Sequence, residues 1–110
     1  MSYKLKFIPS ALKEWNKVGP VIREQLKKKL AKRLAEPEVP ADRLHGFSNH
    51  YKIKLRSSGY RLVYEVEKES VSVIVITVGR RERSGVYIQA AKRSKRLDSP
   101  QPGPPDLERH

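Results

Sequence analysis

Lys52, Lys54 and Arg56 alternate with Ile53 and Leu55 in the stretch Tyr51-Lys-Ile-Lys-Leu-Arg56. A repeat of period two is the signature of a β-strand, with the cations on one face and the aliphatics on the other. The following run, Tyr60-Arg-Leu-Val-Tyr-Glu-Val66, reads as a second strand, and Ser58-Gly59 between them predicts a two-residue turn. That register sets Arg56 opposite Arg61, Lys54 opposite Val63 and Lys52 opposite Glu65. It gathers Lys52, Lys54, Arg56 and Arg61 on one face and leaves Ile53, Leu55, Leu62, Tyr64 and Val66 for a core. Like charges crowded on a sheet are unfavourable, so a chain that keeps them there is expected to hold a polyanion.

Overall charge points the same way. The chain has 110 residues, enough for one small domain, and a formal net charge of +12. Charge of that sign is an argument about partners: nucleic acid first, an acidic protein second. A membrane surface is a poor third, because no basic amphipathic helix with a large aromatic face is evident. The absence of cysteine excludes disulfides and thiolate metal sites and fits a reducing cytosol. The N-terminus lacks the apolar run of a signal peptide, and no stretch approaches the ~20 apolar residues of a membrane span. A soluble, cytoplasmic protein is expected.

The remaining patterning predicts an α+β domain. Tyr3, Leu5 and Phe7 alternate with lysines over residues 2–8 and read as a strand that Pro9 ends. Ser10 is a candidate cap for a first helix with Ala11, Leu12, Trp15 and Val18 on its apolar face. Gly19-Pro20 breaks it, and Pro20 suits the first turn of a second helix. There Ile22, Leu26, Leu30 and Leu34 form a narrow stripe on a rod bearing Arg23, Lys27, Lys28, Lys29, Lys32 and Arg33. Residues 50–56, 60–67 and 70–78 read as an antiparallel meander. Its last strand is almost wholly apolar and β-branched and is therefore placed centrally. Gly79 is expected to end it, and a short helix is expected over 82–93. The expected domain is 1–94, with helices on one sheet face and a basic surface on the other. Residues 95–110, rich in proline, are expected to be a disordered tail.

Candidate chemistry centres on the strand cations and on Gly79-Arg-Arg-Glu-Arg-Ser84, with Arg80, Arg81 and Arg83, followed by Tyr87. Taken alone, these residues fit a solvated face, an anion-binding surface or a catalytic one. The basic second helix likewise fits either solvent or a nucleic-acid footprint. His45 and His50 fall in or beside a loop, where solvent exposure is the ordinary state. No serine–histidine–aspartate order, paired carboxylates, phosphate-binding glycine loop or metal signature is present, and no cofactor is expected.

Ala11-Leu-Lys-Glu-Trp15, Arg23-Glu-Gln-Leu-Lys-Lys-Lys-Leu30, the run Tyr51 to Tyr64 and Val78-Gly-Arg-Arg-Glu-Arg-Ser84 with Val86-Tyr87 resemble the RelE toxins of bacterial toxin–antitoxin systems. The resemblance covers about residues 2–93. It implies a RelE-like microbial RNase fold, with a small antiparallel-rich sheet, and a ribosome-dependent endoribonuclease that cuts mRNA in the A site. The partners it implies are the 70S ribosome and its rRNA, a RelB-like antitoxin, and operator DNA reached only through that antitoxin. The family's catalytic residues fall on Lys52, Lys54, Arg61, Arg81 and Tyr87. Arg23, Lys27, Lys28, Lys32, Arg56, Arg80 and Arg83 are the RNA- and ribosome-binding candidates. One departure is His45, where the family's type member carries an arginine.

These residue types suit cleavage by the RNA's own 2′-hydroxyl. Such a reaction needs a base, charge stabilisation on the phosphorane and help for the leaving oxygen. A lysine among cations gives up its proton more readily, so Lys54 is the candidate base, with Lys52 second. A rival class is a basic protein that occupies the A site without cutting.

Overall fold

The computed structural model describes residues 2–80, Ala90 and the backbone of Gln101–Pro102. The chain runs β1 (Lys4–Phe7), α1 (Pro9–Lys17), α2 (Pro20–Ala35), a single 3-10 turn (Pro40–Asp42), β2 (His50–Leu55), β3 (Tyr60–Glu67), β4 (Ser72–Arg80) and β5 (Gln101–Pro102). The sheet order is β2-β3-β4-β1-β5. β2, β3 and β4 form the expected antiparallel meander. β1 lies parallel to β4, so the sheet is mixed. β4 is central, as its apolar run requires, and it continues through Gly79 to Arg80. The segment expected to be a disordered tail supplies β5, which pairs antiparallel with β1.

Both helices start on proline. Ile8 is the extended residue before α1, with Pro9 in its first turn and no side-chain cap, so Ser10 is not the cap. Proline there loses no hydrogen bond, because that N–H has no helical acceptor in any case. Gly19 and Pro20 play the same parts for α2. Trp15 of α1 meets Phe7 edge-to-face, ring centroids 5.4 Å apart, and Leu26, Leu30 and Leu34 of α2 are buried in the same core. Ala90, helical and fully buried, belongs to that core too.

A bulge tunes β4. Val63 pairs with Thr77 but Tyr64 pairs with Val75, leaving Ile76 as the extra residue. Bulges shift which side chains face inward. Here Val73, Val75 and Val78 all join Leu62, Tyr64 and Val66 beneath the helices. Beyond the end of β1, α1 takes over the exposed edge of β4. The Glu14 carboxylate accepts from Val78 N at 3.2 Å and from the Thr77 hydroxyl at 3.0 Å. The opposite sheet face is not uniformly basic: Val63 and Ile74 on it are fully buried.

Candidate active site and nucleic-acid surface

The turn between β2 and β3 has four residues, Arg56 to Gly59, and not two. Leu55 pairs with Tyr60, and Gly59 N donates to Leu55 O at 2.9 Å. Gly59 has φ +77°, a conformation that side chains resist. The register is therefore offset by two residues from the expected one. Faces are preserved, but partners change: Lys54 stands opposite Arg61, Lys52 opposite Val63 and His50 opposite Glu65. Arg56 leaves the strand for the turn.

The carbonyls of His50 and Lys52 both point away from β3. One accepts from Leu44 N at 2.9 Å and the other from Arg33 Nη1 at 3.2 Å. The even-numbered β2 residues thus form the non-hydrogen-bonded pairs, in which Cα atoms approach to about 4.5 Å and side chains are closest. Lys54 and Arg61 are such a pair. Lys54 is exposed and Lys52 half-buried. Arg61 is only 9% exposed; its Nη1 donates to Tyr60 O at 3.3 Å, and its Nε is buried without a partner. On its other side Arg61 faces Gly79, which presents no side chain. Arg80, next along β4, lies over the Tyr60 ring at 5.8 Å. Arg81, Arg83 and Tyr87 lie outside the described residues.

Four elements hold this platform. Arg33, placed by sequence on the basic face of the second helix, is largely buried. It pairs with Asp42 and donates to the Tyr64 hydroxyl at 2.9 Å as well as to Lys52 O. Tyr64 in turn donates to Pro37 O at 2.6 Å, and burial pushes its phenol above the ordinary range even though Arg33 pulls it back. The signal for Arg33 was present: it lies three residues after Leu30 and one before Leu34, on the flank of the buried stripe.

The histidines divide. His45 is exposed in a turn, whereas His50 is 3% exposed, against the expectation of solvent for it. Its Nδ1 sits 2.7 Å from Ser48 O, a contact that requires the proton on Nδ1, and its ring packs on Phe47. Among the described residues no group of His, Cys, Asp or Glu is arranged to hold a metal, and no helix is long and apolar enough to cross a membrane.

The basic rod of α2 is split by the fold. Lys28, Lys29 and Lys32 face Lys54 and Arg56 across a groove of about 640 Å³. Arg23 and Lys27 line a second depression with Pro20, Val21 and Glu24, which adjoins the first through Gln25 and Lys28.

Residues 5–85 match the family profile described as the ParE toxin of type II toxin-antitoxin system, parDE. The mRNA interferase toxin RelE of Escherichia coli K12 is 59% identical over 93 residues, 84% of this chain and 98% of that protein. The chain belongs to the RelE toxin family. Solved RelE structures agree. E. coli RelE carrying R81A and R83A, in the free state, superposes with a TM-score of 0.79 at 57% identity, covering 84% of this chain and 98% of that one. The toxin in the intact E. coli RelBE toxin-antitoxin complex gives 0.73, also at 57% identity, covering 74% and 100%. The RelE fold extends further: RelBE2 of Mycobacterium tuberculosis, 19% identical, still gives 0.59.

Proposed function

We propose that this RelE-family chain is the toxin of a type II toxin–antitoxin pair and an endoribonuclease that cuts mRNA in the ribosomal A site. The observation that carries the site assignment is the close Lys54–Arg61 pair, in which a buried guanidinium keeps a donor without an acceptor. A fold gains nothing from that arrangement, and an RNA phosphate would complete it.

In the proposed reaction Lys54 takes the proton from the 2′-hydroxyl, and the oxygen attacks the adjacent phosphorus. Arg61 and Lys52 hold the non-bridging oxygens. The bond from phosphorus to the 5′-oxygen breaks, leaving a 2′,3′-cyclic phosphate and, after protonation, a 5′-hydroxyl. Arg81 stabilises the charge that develops on the phosphorane and the leaving oxygen, and Tyr87 stacks on a nucleotide to align the attack. Arginine donates a proton poorly, so the site is slow on free RNA. The ribosome is expected to supply the in-line geometry, a contribution that reaches ~7–11 kcal/mol in well-aligned systems.

Arg23, Lys27, Lys28, Lys32, Arg56, Arg80 and Arg83 are assigned to RNA and ribosome binding. A cognate antitoxin related to RelB masks the cationic surface, and the pair represses its own operon through the antitoxin's contact with DNA. The site of action is the cytoplasm. Ribosomes programmed with a defined mRNA test the reading. New 5′ ends within the A-site codon are expected; stalled ribosomes on intact mRNA would favour a protein that blocks the site without cutting.

A further inference from the structure

The groove between α2 and the end of β2 is lined by five cations, Lys28, Lys29 and Lys32 on one wall and Lys54 and Arg56 on the other, with no acidic residue among the lining side chains. All five are at least partly open to solvent. The ion pairs Arg33–Asp42 and Lys68–Glu38 engage other cations. Mutual repulsion of that many like charges disfavours the empty groove. Ser57, in the turn at its end, adds a neutral hydroxyl.

Lys54 connects this groove to the site described above. It lines the groove and also stands opposite Arg61, so a polyanion filling the groove ends at the catalytic pair. The second basic depression shares Gln25 and Lys28 with the groove but differs: it carries Glu24, and none of Lys52, Lys54 and Arg61 lines it. We infer that the α2–β2 groove is a subsite for the RNA strand being cut, gripping phosphodiesters flanking the scissile one, and that Arg23 and Lys27 serve a different contact. This rests on the proposed cleavage reading and deepens it, because it divides one basic surface into a substrate track and an adjoining patch that meets it at Lys28. The shared chemistry is the RNA phosphodiester; the two possible sources are the mRNA strand and rRNA, and the assignment is to the mRNA.

The test uses mRNA whose A-site codon is 2′-O-methylated and cannot be cut, so it reads binding whether or not the protein cleaves. The chain has no cysteine, so Lys29→Cys and Arg23→Cys each give one attachment point for a benzophenone crosslinker. On programmed ribosomes the label at 29 is expected to join to mRNA and the label at 23 not to. In parallel, the free protein is titrated with a short 2′-O-methyl single strand. Changing Lys28, Lys29 and Lys32 together to Gln is expected to flatten the slope of log affinity against log salt by about 2, at ~0.7 for each phosphate no longer neutralised. Glutamine is a good helix former, so α2 is retained. Changing Arg23 and Lys27 together to Gln should flatten that slope by less than ~0.7, the share of a single phosphate contact. A label at 29 that joins only rRNA, or nothing, would overturn the inference. So would an equal decrease of slope in the two sets of variants, or no decrease in the triple one. Failure to cut unmodified mRNA would instead strike the cleavage reading alone.

Discussion

Lys54 and Arg61 face each other as a non-hydrogen-bonded pair across β2 and β3, two cations at the closest approach an antiparallel sheet offers. Arg61 is nearly buried and leaves its Nε without an acceptor. Replacing it with Met removes a buried unsatisfied donor, which typically costs ~1–3 kcal/mol, and a like-charge neighbour. Arg61→Met is therefore expected to raise the denaturation midpoint, read by circular dichroism in urea. A drop in stability would mean that the guanidinium is satisfied in a way the geometry does not reveal.

Tyr64 locks α2 to the sheet through Arg33 and Pro37. Tyr64→Phe loses both hydrogen bonds and leaves the Pro37 carbonyl without its donor, while Arg33 keeps Asp42 and Lys52 O, for a cost of about 1–3 kcal/mol. The phenol's folded-state pKa lies above the unfolded value, so its contribution is complete below about pH 10 and is lost as pH rises through the folded value. Alkaline unfolding curves of wild type should fall more steeply above pH 10 than those of Tyr64→Phe. Parallel curves would argue against the buried phenol as the cause.

Val71, in the turn before β4, has φ +53°. This is a costly conformation for a β-branched residue, by roughly 1–2 kcal/mol. It turns the Val71 carbonyl toward Lys4 N, 2.8 Å away, and so starts the β1–β4 pairing. Asparagine tolerates the same φ. Val71→Asn should gain about 0.5–1 kcal/mol of stability with unchanged activity, measured by urea denaturation, whereas a loss would show that Val71 packing outweighs its strain.

Glu14 fills the edge of β4 that β1 leaves open, accepting from Val78 N and Thr77. Glu14→Ala should cost about 1–2 kcal/mol. It should also slow cleavage, because β4 leads straight into Arg80 and Arg81. Full activity in a destabilised Glu14→Ala protein would separate the edge contact from the site.

Most of the fold was legible because period-two runs and the stripe Leu26, Leu30 and Leu34 dictate which side faces in. Face parity survived even the wrong register, since an offset of two residues keeps every side chain on its face. The pairing itself was not legible. It depended on whether the turn closed over Ser58-Gly59 or over all of Arg56 to Gly59, and a glycine in the left-handed region fits both. Other features depend on distant partners. The bulge at Ile76, the parallel pairing of β1 and the burial of Arg33 and His50 arise from contacts that no local pattern records. For the site, parity alone brought Lys52, Lys54 and Arg61 together. The resemblance, not the spacing, gave them roles.

The single-turnover rate of mRNA cleavage on programmed ribosomes, wild type against Arg61→Met at saturating protein, tests the central claim that the Lys54–Arg61 pair is a catalytic site held at a cost in stability. Losing a donor aimed at developing phosphorane charge is expected to slow the reaction by ~100-fold or more, in a protein that is folded and more stable than wild type. Cleavage by Arg61→Met at the wild-type rate would contradict the account.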